Sequence, residues 1–212
     1  YDWSDVSYYD YLKTTHAHST ITVDGAGQNS RGRPDTWIPE KPVPVEWDTT
    51  ETGVRVAAEY SLGYGPENAI GVTHRRTVCF VGDRFWVILD RVTGSGSHVL
   101  DLRWQFAPGG VFLEGSKAVT GNGDANLVLW SIPSSPFTDN RVETGEENPR
   151  RGWYSKSYGH IEPAPAVSLS VLDDLPFSAA TLLYPFKGTK TPELVFTWDG
   201  ETVVVSGEET GE

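Results

Sequence analysis

The chain has 212 residues, a net charge of −12 and 38% hydrophobic residues, enough for one large globular domain with a real core. That charge argues against nucleic acid as a partner, because phosphate binding wants a basic surface. No apolar run reaches the length of a membrane span, and the single Cys79 rules out an internal disulfide.

The opening YDWSDVSYYDY does not read as a charged-then-apolar leader. Met is absent even at position 1, so the chain is expected to be a piece of a longer protein. Next comes TTHAHSTITVDGAGQ (14–28), with the strand STITV at 19–23. In a strand, residues two apart share a face, so His16 and His18 are expected to point the same way.

Further on, GVRVAAEY (53–60), THRRTVCFV (73–81), RFWVILDRV (84–92), HVLDLRWQF (98–106) and NLVLWSI (126–132) read as strands. So do AVSLSVL (166–172), AATLLYPF (179–186), ELVFTW (193–198) and TVVVSG (202–207). VGDRF at 81–85 and WDGET at 198–202 have the glycines of hairpin turns. With almost no helical periodicity, the expected fold is all-β, a large two-sheet antiparallel sandwich forming a single domain over 1–212. The stretches 24–50 and 133–165 are rich in Pro, Gly and charge. They are expected to be irregular, either carrying function or covering sheet edges. The acidic tail SGEETGE closes the chain.

Three groups of residues have chemical potential. His18, Asp35 and His74 are nitrogen and oxygen donors of the kind zinc takes, although spacing alone does not make them converge, and HxH is more often an ordinary polar pair. Tyr60 and Tyr64 are ordinarily packing residues, and a catalytic tyrosine needs a neighbour that positions its proton. Arg31, Arg33, Arg75, Arg76, Arg150 and Arg151 fall in close pairs. Such guanidiniums suit carboxylate or sulfate recognition, or simply neutralise local acids. Cys79, in TVCFV, reads as inert packing.

Three blocks, HAHSTITVDGAGQ, GVTHRRTVCFVGDRFWVILDRV and GWYSKSYGHIEPAPAVSL, resemble the C-terminal β-sandwich of the heparinase II/III-like family, which includes the oligoalginate lyases. The resemblance implies a polysaccharide lyase acting on acidic, uronic-acid polysaccharide by β-elimination. Its cleft would lie between this sandwich and an N-terminal α/α toroid of the same parent. It implies His16 as a catalytic residue of the cleft and a structural zinc held by His18, Asp35 and His74. Tyr64 resembles, more loosely, a family tyrosine facing the cleft. Arg75 and Trp153 are the expected substrate-binding residues. Ser19 departs from the Asn usual after the second histidine. The isolated chain is expected to be inactive, and the parent periplasmic or secreted, with neither membrane nor nucleic acid as partner. A different class remains open: a non-catalytic carbohydrate-binding or scaffold module, with Trp37, Trp47 and Trp153 as stacking surfaces. A third reading is a structural β-domain of another family.

Overall fold

The computed structural model describes residues 6–28 and 43–207. A short helix α1 (Val6–Leu12) opens the described chain, and a single 3-10 turn follows at Thr15–Ala17. The strands follow in order: β1 (Ile21–Val23), β2 (Val45–Thr50), β3 (Gly53–Tyr60), β4 (Thr73–Val81), β5 (Phe85–Thr93) and β6 (Ser97–Gln105). Then come β7 (Val111–Glu114), β8 (Lys117–Thr120), β9 (Ala125–Pro133), β10 (Asp139–Glu143), β11 (Glu146–Glu147) and β12 (Arg150–Arg151). The last are β13 (Trp153–Ser157), β14 (His160–Pro163), β15 (Ala166–Asp174), β16 (Phe177–Lys187), β17 (Leu194–Trp198) and β18 (Val203–Gly207).

An eight-stranded sheet, β2-β3-β4-β5-β16-β9-β8-β7, faces a four-stranded sheet, β1-β6-β15-β10. All their pairings are antiparallel. The all-β sandwich expected from the strand list is what the chain forms. Both expected hairpins are present. Gly82 and Asp83 take positive φ between β4 and β5, and Gly200 does so between β17 and β18.

Alternation along the strands builds the core. Ile21, Val23, Leu100, Leu102, Val167 and Leu169 point inward from the small sheet and meet Ile88, Val92, Leu129 and Phe177 of the large one. A smaller cluster, Val87, Ala180, Leu182 and Phe196, lies on the other side of the large sheet, beneath the β17–β18 hairpin. Among the described residues no helix is long and apolar enough to cross a membrane.

Two expectations change. His16 sits in the 3-10 turn with His18 as its C-cap, and the strand starts only at Ile21, so the two histidines do not share a strand face. The stretches expected to be irregular are also not wholly so: 24–50 ends in β2, and 133–165 holds β10 to β14.

Candidate functional site

The outward residues of the small sheet make a polar wall. Asp101 and Arg103 on β6, Ser168 and Ser170 on β15, and Arg141 and Glu143 on β10 all belong to this face. Arg103 is only 1% exposed. Its guanidinium donates to Asp101 Oδ2 at 2.8 Å, to Glu143 Oε2 at 2.6 Å and to the His16 carbonyl at 3.3 Å. The Ser170 hydroxyl donates to Asp101 at 2.9 Å, and Ser168 adds a second bond. A buried cation is tolerated only when its charge and its N–H groups are both satisfied in this way. Burial alone would raise the Asp101 carboxyl, but the hydrogen bond from Ser168 and the charge of Arg103 hold it below the usual carboxylate range.

This wall positions His16. Gln105 Nε2 donates to the His16 carbonyl at 3.2 Å, alongside Arg103. The imidazole Nε2 lies 3.0 Å from the Gly25 carbonyl. His16 is half-buried and lines two adjoining clefts, one with Tyr11 and Arg151, the other with Arg103, Arg141 and Arg151. Its pKa is lowered, first by burial and then by the positive charges of Arg151 and Arg103. Carboxylates (Asp101, Asp139, Glu143, Glu147) balance the arginines of these clefts, and an imidazole whose pKa is lowered there is suited to taking a proton from a bound molecule.

The second cluster lies on the inward face of β4 and β5. His74 Nε2 is 2.7 Å from Asp90 Oδ1, and Arg76 grips the same carboxylate with bonds of 2.7 and 2.9 Å. Burial would raise the Asp90 carboxyl, but Arg76 and His74 outweigh it and bring it to about 2. Arg76 also donates to the carbonyl of Ser19, the residue after His18, so the His18 segment is tied to the strand that carries His74.

Two of the three expected zinc ligands, His18 and His74, lie among the described residues. His74 is buried, with Nε2 engaged by Asp90 and Nδ1 outside that contact. His18 is exposed, with Nδ1 held 2.7 Å from the Thr14 carbonyl, which leaves Nε2. Each ring thus has one nitrogen fixed by an oxygen, as metal-ligating histidines do. Asp35 lies outside the described residues, as do Trp37, Arg31 and Arg33. Among the described residues no three His, Cys, Asp or Glu side chains gather into a metal cage.

Tyr64 is a correction. It has no exposure, stands edge-on to Tyr60 at 5.7 Å and accepts a 2.9 Å hydrogen bond from Gln28. Burial pushes its phenol up. The tyrosine expected at the cleft is therefore a core residue with no face toward a sugar. Arg75 donates to Glu46 at 2.7 Å across the sheet. Trp153 donates its indole N–H to the Glu146 carbonyl at 2.9 Å and stands edge-on to Tyr8. Trp47 is 68% exposed on the edge strand β2. Cys79 is half-buried beside the smaller cluster, with its thiol pKa raised by burial.

Reading the sequence missed Tyr11, Arg103 and Glu143. The signal for Arg103 was present in LDLRWQF, where alternation sets Asp101 and Arg103 on one face, opposite SLS on β15.

The fold is a two-sheet antiparallel sandwich whose smaller sheet has a polar outer face. The chain belongs to the heparinase II/III-like family: the model of its C-terminal domain matches residues 1–199. No curated protein matches the sequence. Among solved structures, a lysine-methylated heparinase III superposes with a TM-score of 0.72 at 20% identity, covering 93% of this chain and 29% of that one. The heparan sulfate lyase HepC from Pedobacter heparinus superposes with a TM-score of 0.73 at 17% identity, covering 98% of this chain and 31% of that one. A further heparinase III gives 0.66 at 16% identity. These likenesses carry the fold, and the chain spans about 30% of the length of the structures it matches.

Proposed function

We propose that this chain is the β-sandwich part of a lyase that cleaves uronic-acid polysaccharide by β-elimination, supplying one wall of the active-site cleft. The observation that carries the reading is His16, neutral by environment and anchored through Gly25, Arg103 and Gln105 in a cleft lined by arginines. In this role the imidazole takes the proton from C5, beside the sugar carboxylate. Electron density moves toward the carboxylate, and nearby cations stabilise that charge. The bond to the 4-oxygen then breaks. The acid that protonates the leaving oxygen comes from the rest of the parent, an α/α toroid facing this wall. Trp153 contacts substrate more peripherally, and Arg75, paired with Glu46 on the large sheet, would do so only by exchanging that partner. Heparan sulfate is the first polysaccharide to assay, and the periplasm or the outside of the cell is the expected location.

The donor set of His18 Nε2, His74 Nδ1 and the Asp35 carboxylate fits zinc. A zinc there would supply cohesion and not chemistry, tying the loop that carries His16 to β4. In the full-length parent, His16→Ala is expected to lower turnover at least about a hundredfold while zinc content and melting temperature hold. His18→Ala is expected to lose zinc and melt earlier. The opposite assignment of metal loss exchanges the two roles, and unchanged turnover in His16→Ala removes the catalytic reading. Because half a cleft lacks most of the positioning that drives catalysis, this chain alone is expected to release no measurable unsaturated uronide.

A further inference from the structure

Arg150 and Arg151 are adjacent in sequence but differ in their commitments. Arg150 donates to Glu147 at 3.1 Å and lies 3.8 Å over the Tyr8 ring. Arg103 and Arg141 are paired with Asp101, Asp139 and Glu143. Among the described residues, Arg151 alone of the cleft's arginines makes no ion pair. Its one bond goes to the Arg150 carbonyl, at 2.6 Å. The nearby carboxylates that could neutralise it, Glu143 and Asp101, are already held by Arg103. Arg151 is half-buried, so its charge is poorly compensated by water.

Next to it is a second unmet donor. Tyr11 is 7% exposed, and among the described residues its hydroxyl proton has no acceptor. The groups nearest that oxygen include the backbone amides of Gly152 and Trp153, which are donors and cannot accept its proton. Burial raises the Tyr11 phenol, which keeps that proton in place. Gly152 secures the arrangement. Its φ is +70°, and a side chain there would press into the Glu143 carbonyl, so the backbone bearing Arg151 is drawn tightly against β10.

Among the described residues, a guanidinium without an ion pair and a buried hydroxyl without an acceptor therefore line the same cleft as His16. We propose that Arg151 and the Tyr11 hydroxyl form the seat for the carboxylate of the uronic-acid residue that lies against His16. The inference rests on the proposed lyase reading for its substrate class. A guanidinium presents parallel N–H groups that match the two oxygens of a carboxylate, and the hydroxyl adds a third bond. The seat places that carboxylate next to the imidazole, as the removal of the neighbouring C5 proton requires.

The test is binding to the full-length parent, measured by calorimetry. The probes are an unsulfated glucuronate-containing tetrasaccharide, its methyl ester and inorganic sulfate. Arg151→Gln is expected to weaken binding of the acid about tenfold to a hundredfold, the cost of one charge-assisted hydrogen-bonded pair. Tyr11→Phe should weaken it less, Arg151→Lys should keep part of it, and the ester should bind the unaltered protein as poorly as the acid binds Arg151→Gln. Equal binding of acid and ester to the unaltered protein overturns the proposal, and that comparison decides even if Arg151→Gln does not fold. Competition by sulfate without discrimination against the ester overturns it in favour of a sulfate pocket. Turnover of His16→Ala is measured in parallel. If it is undiminished the lyase reading fails, whereas the acid–ester difference reports on the seat alone.

Discussion

The two faces of β6 and β15 alternate residue by residue yet are held together by different physics. The inner face carries Leu100, Leu102, Trp104, Val167, Leu169 and Val171, all at 4% exposure or less. The outer face carries Asp101, Arg103, Ser168 and Ser170, three of them nearly as buried. Apolar burial has no direction, so the inner face fixes how closely the sheets approach and little else. The hydrogen bonds of the outer face do have direction. Arg103 reaches both its carboxylates and the His16 carbonyl, so the wall can hold a histidine main chain in one place. An apolar surface could have covered the sheet, but it could not have fixed the histidine.

Adjacent residues on β6 sharpen the contrast. Arg103→Ala takes from Asp101 and Glu143 their buried cation and leaves them only the more exposed and more distant Arg141. We expect a loss of about 4 kcal/mol, within the range for breaking one side of a buried pair. Leu102→Ala opens a cavity between the sheets and should cost about 3 kcal/mol. Denaturant unfolding of both variants measures the difference. If Arg103→Ala costs less than about 1 kcal/mol, the outer face behaves as an ordinary solvated surface and the contrast collapses.

On β6 and β15, acid should act on the outer face only, while Asp90 on the inward face of β5 adds its own loss at lower pH. The Asp101 carboxyl is depressed in the folded chain, so its contribution to stability is present above the unfolded value near pH 4 and is lost as pH falls through the folded one. The melting temperature of the unaltered protein should therefore drop below about pH 4, and Asp101→Asn should blunt that part of the drop. An equal drop in Asp101→Asn would assign the acid sensitivity to other carboxylates.

What the sequence disclosed follows the same division. The β3 and β4 boundaries, Gly53–Tyr60 and Thr73–Val81, were readable to the residue because β-branched residues and turn glycines mark them. Strand β2, VEWDTT, was hidden because every residue in it is exposed and no inward apolar rhythm marks an edge strand. Strands β10 to β14 were hidden because they are short and rich in charged and polar residues, with no apolar alternation to mark them. In a single sequence, a buried polar face looks like a solvated one. That is why Arg103 went unrecognised and why Arg75, which turns out to be paired with Glu46, looked as available as Arg151. The HxH pair was legible as residues but not as geometry, since a 3-10 turn leaves no periodic trace in three residues.

The smallest expected effect lies at the far end of β6. His98 Nδ1 sits 2.7 Å from Asp24 Oδ2, while Asp24 Oδ1 accepts the Val99 amide at 2.9 Å. The Asp24 side chain is 40% exposed, so water and salt screen the pair in a way they cannot screen Arg103. The hydrogen bond to Asp24 raises the His98 pKa above its ordinary value. For a group raised on folding, the stabilisation is fully present below the unfolded value near 6.5 and is lost as pH rises through the folded one. His98→Asn should therefore cost less than about 1 kcal/mol at pH 5 and close to nothing at pH 9. Melting curves of the variant and the unaltered protein at both pH values check this, with and without 0.5 M salt. A difference that persists at pH 9 would show that the imidazole acts there through packing, as the inner face does. A difference at pH 5 that salt does not reduce would place this exposed pair with the buried wall.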